Sequence, residues 1–297
     1  IGQGFPGQLG VFSDDHLEGL SRLATAIKQE DSVAICQIHH AGMRSPEDII
    51  GSKPVCPSDN EETGARALSS DEVSQLIEDF IVAAERSEKA GFDGVEIHGA
   101  HGYILSQFLS GEINQREDDY GGSLDNRSRI FFEIIDGIRQ RCGSNFMVGV
   151  RLSPERFGMK LAEVVEVAQR LMDTGQIDFL DMSLWDVFKE PEEEEMQGKS
   201  LLSYFTALNR GDVRLGIAGK IRTPAEAEQA MATGVDWIML GRAAILHHDF
   251  PLQQRDNPDF TPVALPVSVD HLKKEGLSDK FVTYMSQPIW KGFVEES

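Results

Sequence analysis

The sequence predicts an α/β protein whose parallel strands and helices form a (β/α) barrel. Short apolar or β-branched runs, each long enough for one strand, alternate along the chain with stretches of helical periodicity. Polar side chains follow the carboxyl ends of most of these runs, where a barrel gathers its catalytic groups. An open doubly wound sheet is the alternative, but no G-x-G-x-x-G segment follows a predicted strand. The barrel is therefore the favoured fold class.

Six runs of strand character set the number of βα units. The predicted strands cover residues 33–38, 94–98, 146–151, 177–182, 213–217 and 235–240. A complete barrel of this class has eight strands. The chain therefore predicts six of the eight βα units, followed by C-terminal helices.

Apolar residues at i, i+3 and i+4 spacing predict the helices between these strands. The clearest helical segments are 69–90, 126–141, 161–172 and 224–233. Ser69 or Ser70 is expected to cap the first of them. Thr223-Pro224-Ala225-Glu226 has the pattern of a capping box with proline at the first helical position, which predicts the start of the last.

Composition and charge limit the classes of function. The 297 residues carry 28 basic and 49 acidic side chains, a net charge of −21, which argues against a nucleic-acid partner. No apolar run approaches the length of a membrane span, and no signal peptide is visible. The three cysteines lack C-x-x-C spacing and suit a reducing compartment. We therefore expect a cytoplasmic protein that acts on small molecules, with a homo-oligomer as a further expectation.

One acidic run, EPEEEE at 190–195, follows the predicted strand 177–182. A run of like charges in a loop is most often a solvated surface segment, and this is the favoured interpretation. A lid over an active site is the alternative.

The segment VEIHGAHGYILSQF at 95–108 carries the densest group of functional side chains. Strand alternation places Glu96 and His98 on one face, with His101 and Tyr103 in the loop that follows. Three interpretations remain open: a metal site, hydrogen-bonded histidines at a strand end, or a proton-transfer site. In a proton-transfer site, the two imidazoles would donate hydrogen bonds to a substrate oxygen. The Tyr103 phenol keeps its proton at neutral pH and would act as the general acid.

Other strand ends indicate a ligand with a phosphate and a polar ring. Backbone N–H groups of Gly219, Lys220, Gly241 and Arg242 follow the last two strands, where a barrel often binds phosphate. Arg151 ends a strand pointing inward and needs an anionic or carbonyl-rich partner. A flavin ring supplies such a partner, because positive charge near it stabilises its reduced, anionic form.

Six segments together resemble the old yellow enzyme family of FMN-dependent ene-reductases. They are QIHHAG at 37–42, HGAHGY at 98–103, QFLSGEINQREDDYGGSLDNRSR at 107–129, GVRLS at 149–153, GKIRTPAEAE at 219–228 and LGRAAI at 240–245. The resemblance is collinear over essentially the whole chain. It implies an eight-stranded (β/α) barrel with non-covalent FMN at the carboxyl end of the strands.

The resemblance also implies a role for each matching residue. Gln37 and Arg151 match positions that contact the flavin ring. His98 and His101 match the pair that binds the substrate's activating oxygen, and Tyr103 matches the proton donor. The remaining matches, which form the phosphate cradle, are Gly219, Lys220, Gly241 and Arg242. NADH or NADPH would reduce FMN, and the enzyme would then reduce the C=C bond of an activated alkene such as an α,β-unsaturated carbonyl compound.

The chain departs from the family pattern at its start. The family's first two βα units have no counterpart, and residues 1–31 resemble the loop and helix that follow the second strand. We therefore expect one N-terminally shortened barrel domain over 1–297. No cysteine follows Cys142, so we expect no iron–sulfur centre like that of larger relatives. The alternatives are a metal-dependent hydrolase on a barrel, using His98, His101 and Glu96, and an inactive fragment that no longer binds flavin.

Overall fold

The computed structural model describes residues 1–257 and 259–295. They form two compact units, the first made of Ile1–Leu184 with Phe188–Gly216, and the second of Trp185–Val187 with the chain from Ile217 onward. In the described part of the chain, no helix is long and apolar enough to cross a membrane.

Within residues 1–257 and 259–295, eight strands form two sheets. They are β1 (Ile35–Ile38), β2 (Val55–Cys56), β3 (Arg66–Ala67), β4 (Gly94–Gly99), β5 (Met147–Leu152), β6 (Phe179–Ser183), β7 (Arg214–Ala218) and β8 (Trp237–Met239). The main sheet has the order β1-β4-β5-β6-β7-β8, and β2 pairs with β3 alone. The pairings of β1 with β4, β4 with β5 and β5 with β6 are parallel. Since neighbours in the main sheet follow chain order, it has the strand sequence that a barrel requires.

The described part of the chain also contains twelve α-helices. They are α1 (Leu17–Lys28), α2 (Glu47–Ile50), α3 (Ser70–Lys89), α4 (Ile104–Leu109), α5 (Leu124–Arg141), α6 (Leu161–Asp173), α7 (Leu201–Thr206), α8 (Pro224–Met231), α9 (Arg242–Leu246), α10 (Phe250–Asp256), α11 (Val269–Lys274) and α12 (Asp279–Met285). Short 3₁₀ helices lie at Asp14–His16, Gly42–Arg44, Glu194–Met196 and Pro288–Trp290.

The predicted elements lie close to the observed ones. All six predicted strands are found within about two residues of their expected ends, and the four predicted helices correspond to α3, α5, α6 and α8. Ser69 is the cap of α3 and forms a capping box with Glu72. The predicted capping box of Thr223 and Glu226 starts α8. Local side-chain chemistry therefore determines where these helices begin.

The core of the first unit lies between the main sheet and its covering helices. Helix α3 contacts both β4 and α5, and it buries the apolar stripe that predicted it. Val95 and Ile97 of β4 are fully buried. A Cβ atom on Gly149 of β5 would lie 2.0 Å from the ring of Phe179 in β6, so only glycine fits there. Close packing thus fixes the strands that carry the predicted site residues.

The YGGS…NR segment that contributes to the family resemblance has a structural role. Asn114 donates its side-chain N–H groups to the carbonyls of Phe108 and Tyr120, both at 2.7 Å. Arg127 is buried and pairs with Glu163 at 2.7 Å. The bonds of Asn114 fix the connection between α4 and α5, and the pair of Arg127 with Glu163 joins α5 to α6.

The acidic run is only in part a solvated loop. Glu194 and Glu195 are exposed, as the favoured interpretation expects. Glu192, however, accepts hydrogen bonds from Arg156, the shorter at 2.5 Å, and Glu193 accepts one from the backbone N–H of Leu161. The run is therefore attached to the loop that follows β5.

The second unit has a hydrophobic core of its own. It consists of Leu246, Val267, Leu272, Val282, Met285 and Phe293. Helices α9, α11 and α12 supply four of these residues. This core supports the turn at the end of β8, where Gly241 and Arg242 lie.

Candidate active site

Three neighbouring strands present the predicted polar residues at their carboxyl ends. In the β1–β4 pairing Gln37 lies opposite Glu96, and in the β4–β5 pairing His98 lies opposite Arg151. Glu96 and His98 are both buried, and their side chains contact Gln37 and His101 respectively. Parallel pairing therefore places Gln37 level with Glu96, and places His98 level with Arg151 two residues closer to the carboxyl end of β4.

The two predicted histidines contact each other. His101 Nδ1 lies 3.2 Å from His98 Nε2, at hydrogen-bonding distance. Burial, together with nearby charges that include Arg151, lowers the pKa of His98 to about 2 and that of His101 to about 4. Both rings are therefore neutral at physiological pH, and each carries a single N–H.

His98 has a second ring nitrogen that lacks a partner. Its Nδ1 is buried and makes no hydrogen bond with any residue that the structure describes. A buried polar atom without a partner is costly, and such atoms occur where a ligand or water completes the bonding. This atom therefore indicates that the end of β4 is built to bind something polar.

The loop that carries His101 has an unusual backbone. His101 and Gly102 both lie in the left-handed region, with φ of 61° and 70°. This conformation is unfavourable for a residue with a side chain and persists only where neighbours enforce it. Ser153 Oγ accepts from His101 N at 2.9 Å, Arg44 Nη1 donates to His101 O at 2.5 Å, and Gln107 Nε2 donates to Gly102 O at 2.8 Å. Three side chains thus hold the loop in place.

Gln107 also ties this loop to the one that follows β1. Its Nε2 donates to Ala41 O at 3.4 Å, and its Oε1 accepts from Met43 N at 3.2 Å. A Cβ atom on Gly42, whose φ is 62°, would lie 2.3 Å from Gln107 Oε1. The buried amide therefore fixes two strand-end loops relative to each other.

Tyr103 lies within a cluster of rings. Its ring centroid is 5.4 Å from that of His98 and 4.4 Å from that of His39, which meets it edge-on. The Arg44 guanidinium carbon lies 4.8 Å from the same centroid, a cation–π distance. Burial lowers the pKa of His39 to about 4, so this third histidine is neutral too. The phenol therefore has neutral imidazoles and one cation as neighbours.

Gln37 and Arg151 have different surroundings. The Gln37 amide N–H donates to the carboxylate of Glu96, which orients the amide. Arg151 Nε donates to Ser183 Oγ at 2.7 Å, and no Asp or Glu in the described ranges forms an ion pair with it. A half-buried guanidinium without a counter-charge fits an anionic or carbonyl-rich ligand. This supports the predicted contact of Arg151 with a flavin ring.

A cavity of about 670 Å³ opens beside the end of β1 in the first unit. Gln37, His39 and His40 line it, together with residues of the N-terminal segment and of α3. Its volume lies in the range of small-molecule sites.

The predicted phosphate cradle lies in the second unit. Gly219 and Lys220 have positive φ values of 156° and 53°, so the turn after β7 has an unusual backbone. A Cβ atom on Gly219 would lie 2.9 Å from Asp186 N, which requires glycine there. Lys220 Nζ pairs with Asp186 Oδ2 at 3.2 Å.

Gly241 and Arg242 begin α9 after β8. A Cβ atom built on Gly241 would have no other described atom within 4 Å apart from its chain neighbours. The backbone there is therefore open to a ligand. Burial and the neighbouring Arg222 lower the pKa of Arg242. Two guanidiniums that repel each other suit a doubly charged phosphate. Arg222 was not predicted, although it lies in the GKIRTP segment two residues after Lys220.

The structure thus brings the predicted residues together in two groups. The first unit contains Gln37, His98, His101, Tyr103 and Arg151, and the second contains Gly219, Lys220, Gly241 and Arg242. Sequence reasoning assigned no role to Arg44, Gln107 or Ser153, because none shows a periodicity or spacing that marks function.

The metal interpretation gains no support. Among the described residues, a close group of three potential metal ligands occurs at His248, Asp249 and Glu275 in the second unit, and it includes neither His98 nor His101. The Glu96 carboxylate, the proposed third ligand, is engaged by the Gln37 amide.

Comparison with known proteins identifies relatives over most of the chain. Residues 1–257 match the model of the NADH:flavin oxidoreductase / NADH oxidase family. The NADH:fumarate oxidoreductase of Klebsiella pneumoniae (strain 342) is 33% identical over 98% of this chain, which spans 32% of that protein. The probable NADH-dependent flavin oxidoreductase YqiG of Bacillus subtilis (strain 168) is 30% identical over 99% of this chain, which spans 79% of it.

A solved structure gives the same result. Morphinone reductase in complex with tetrahydroNAD superposes with a TM-score of 0.73 at 26% identity, covering 88% of this chain and 76% of that one. The fold class predicted from the sequence is thereby confirmed.

Proposed function

Since this chain belongs to the NADH:flavin oxidoreductase / NADH oxidase family, we propose that it reduces the C=C bond of activated alkenes, such as α,β-unsaturated carbonyl compounds. The observation that carries the proposal is the group of Tyr103, His98 and His101, a phenol beside two neutral imidazoles at one strand end. Alkene reduction requires a proton donor and donors for a carbonyl oxygen, and these side chains supply both.

FMN is the cofactor of this family, with NADH or NADPH as the reductant. When bound, FMN supplies the hydride that it receives from the nicotinamide. Arg151 and Gln37 would hold its ring, and the backbone of Gly219 and Gly241 with Lys220 and Arg242 would hold its phosphate. The guanidinium of Arg151 without a counter-charge and the open backbone at Gly241 fit such a ligand.

The chain's own residues contribute binding and proton transfer. His98 and His101 hold the carbonyl oxygen of the substrate and stabilise the negative charge that develops on it as a hydride reaches the β-carbon. Tyr103 gives its Oη proton to the α-carbon, and solvent restores that proton afterwards. One hydride and one proton are added in total, which gives the saturated carbonyl compound.

Several relatives are longer than this chain, which spans about a third of the fumarate oxidoreductase that it matches. The proposal therefore concerns residues 1–297 alone. We propose that they act as a single domain on small molecules. We further propose that the protein is located in the cytoplasm and forms a homo-oligomer. Analytical ultracentrifugation measures the last of these directly.

An absorbance spectrum with two kinetic half-reactions tests the proposal. We expect a yellow protein with flavin bands, bleached by NADH or NADPH without oxygen and recoloured by 2-cyclohexenone. A colourless protein that takes up no added FMN would support the inactive-fragment alternative. Stoichiometric zinc without flavin would support the hydrolase.

A further inference from the structure

Most arginines that the structure describes are paired with carboxylates. These are Arg22, Arg66, Arg86, Arg116, Arg127, Arg139, Arg141, Arg156, Arg170 and Arg255. Such pairing is expected in a chain with a net charge of −21. An arginine that lacks a carboxylate in this acidic chain therefore indicates an external anion.

Arg44 is such an arginine. No Asp or Glu of residues 1–257 or 259–295 forms an ion pair with it. Arg151, Arg222 and Arg242 share this property, and they lie where the flavin ring and phosphate are proposed to bind. Arg129 differs from all of them, because carbonyl and amide oxygens take up its guanidinium. Arg44 thus lacks a carboxylate partner, as the proposed ligand-binding arginines do, but it is not assigned to any part of the cofactor.

The position of Arg44 allows it to reach a substrate. It ends the 3₁₀ helix Gly42–Arg44, its side chain is exposed, and its guanidinium lies over the Tyr103 ring. One N–H of the guanidinium donates to the His101 carbonyl. A guanidinium has five N–H groups in a planar fork, so donors remain for a ligand.

Among the described residues, no carboxylate forms an ion pair with Arg44, and the rings packed around Tyr103 beneath it belong to histidines. His39, His98 and His101 are neutral, because burial lowers the pKa of each. Arg151 adds a second positive charge that acts on His98 and His101. Glu96 is buried beneath them and is bonded to Gln37. The guanidiniums of Arg44 and Arg151 next to this cluster favour a negatively charged ligand.

From this geometry we infer that Arg44 binds a carboxylate of the substrate, so the site takes activated alkenes that also carry a negative charge. The inference deepens the proposed function and rests on it for the placement of the alkene. The neutral histidines receive the carbonyl oxygen that activates the double bond, and the planar Arg44 fork matches the second, ionised carboxyl group. Monoesters of unsaturated diacids and short enone acids have both groups.

Equilibrium binding to the flavin-loaded protein tests this inference without requiring turnover. The probes are monomethyl fumarate and its neutral carboxamide, methyl 4-amino-4-oxobut-2-enoate, which have nearly the same shape. Calorimetric titrations use the wild type, Arg44→Met and the matched control Arg22→Met, which removes one arginine from the exposed face of α1. Burial raises the pKa of all three cysteine thiols, which limits their addition to the probes.

We expect Arg44→Met to weaken monoester binding relative to carboxamide binding by about tenfold or more, as for a lost hydrogen bond to a charged group. Arg22→Met should leave the ratio of the two dissociation constants unchanged. An unchanged ratio in Arg44→Met overturns the inference, including the case in which both probes weaken equally and Arg44 serves only to hold His101. If the wild type binds the probes but reduces neither, the proposed reaction fails while the ratio still decides the role of Arg44.

Discussion

His101 Nδ1 lies 3.2 Å from His98 Nε2, so the two proposed oxygen-binding histidines are bonded to each other. Each neutral imidazole has one N–H, and the mutual bond uses one of the two. A substrate carbonyl oxygen that accepts the N–H of this bond takes the place of the accepting histidine, so we expect substrate binding to replace the contact between the two rings.

Replacing His98 by Ala should weaken binding of enone and phenolic ligands by about tenfold or more, because a buried hydrogen-bonding ring is lost. Titration of the flavin absorbance with 4-hydroxybenzaldehyde measures the affinity. His248→Ala is the control, since His248 is exposed in the second unit and pairs with Glu275. Equal affinity in wild type and His98→Ala would contradict the assigned role.

Ser153→Ala should show whether Ser153 holds the His101 loop in position or only contributes to the stability of the fold. Ser153 Oγ accepts from His101 N, whereas Ser87 Oγ donates to Ala83 O inside α3, and both serines are buried. Each loses about 1 kcal/mol of stability on replacement by Ala. Only Ser153→Ala should also weaken ligand binding, because it releases the left-handed His101. If Ser87→Ala lowers the affinity for the ligand to the same extent, the loss of affinity reflects a general loss of stability. In that case Ser153 does not position the loop.

The buried histidines should make stability depend on pH. Burial lowers the pKa of His39 and His101 to about 4, His40 to about 3 and His98 to about 2. Below about pH 6.5 the unfolded chain takes up protons that the folded chain does not. The free energy of unfolding is therefore unaffected by these groups above that pH. It falls between pH 6.5 and 4 by up to about 1.4 kcal/mol per pH unit for each histidine.

Urea unfolding of the wild type and His40→Asn at pH 7.0 and 5.5 measures this dependence. His40 Nδ1 accepts from Gly42 N, and the Asn side-chain oxygen can accept in its place without titrating. The variant should lose less stability on acidification than the wild type. An equal or larger loss would show that His40 is not buried in its neutral form.

Much of the fold was predictable because it depends on local patterns. The apolar run at 94–98 predicted the strand β4 that carries His98, and the Thr223–Glu226 capping box placed the start of α8. Helix and strand ends came within about two residues because capping residues and glycines act over one turn of chain. The barrel class followed from the alternation of elements and polar strand ends.

The side chains and the backbone conformation that hold the His101 loop were not predictable from these local patterns. Arg44 lies in a 3₁₀ turn without periodicity, and Ser153 and Gln107 reach the His101 loop from 52 residues away and from within α4. The left-handed backbone of His101 is also invisible in sequence, because a histidine gives no sign of it where a glycine would. Tertiary contacts decide these features.

Rapid-mixing kinetics of Tyr103→Phe measures the reductive and oxidative half-reactions separately. The variant keeps the ring that packs on His39 and loses only the hydroxyl. We predict that reduction of its flavin by NADH or NADPH proceeds at close to the wild-type rate. Reoxidation by 2-cyclohexenone should slow by about 100-fold or more, as expected on removal of a general acid. Equal slowing of both half-reactions, or a normal rate of enone reduction, would contradict the account of Tyr103 as the proton donor.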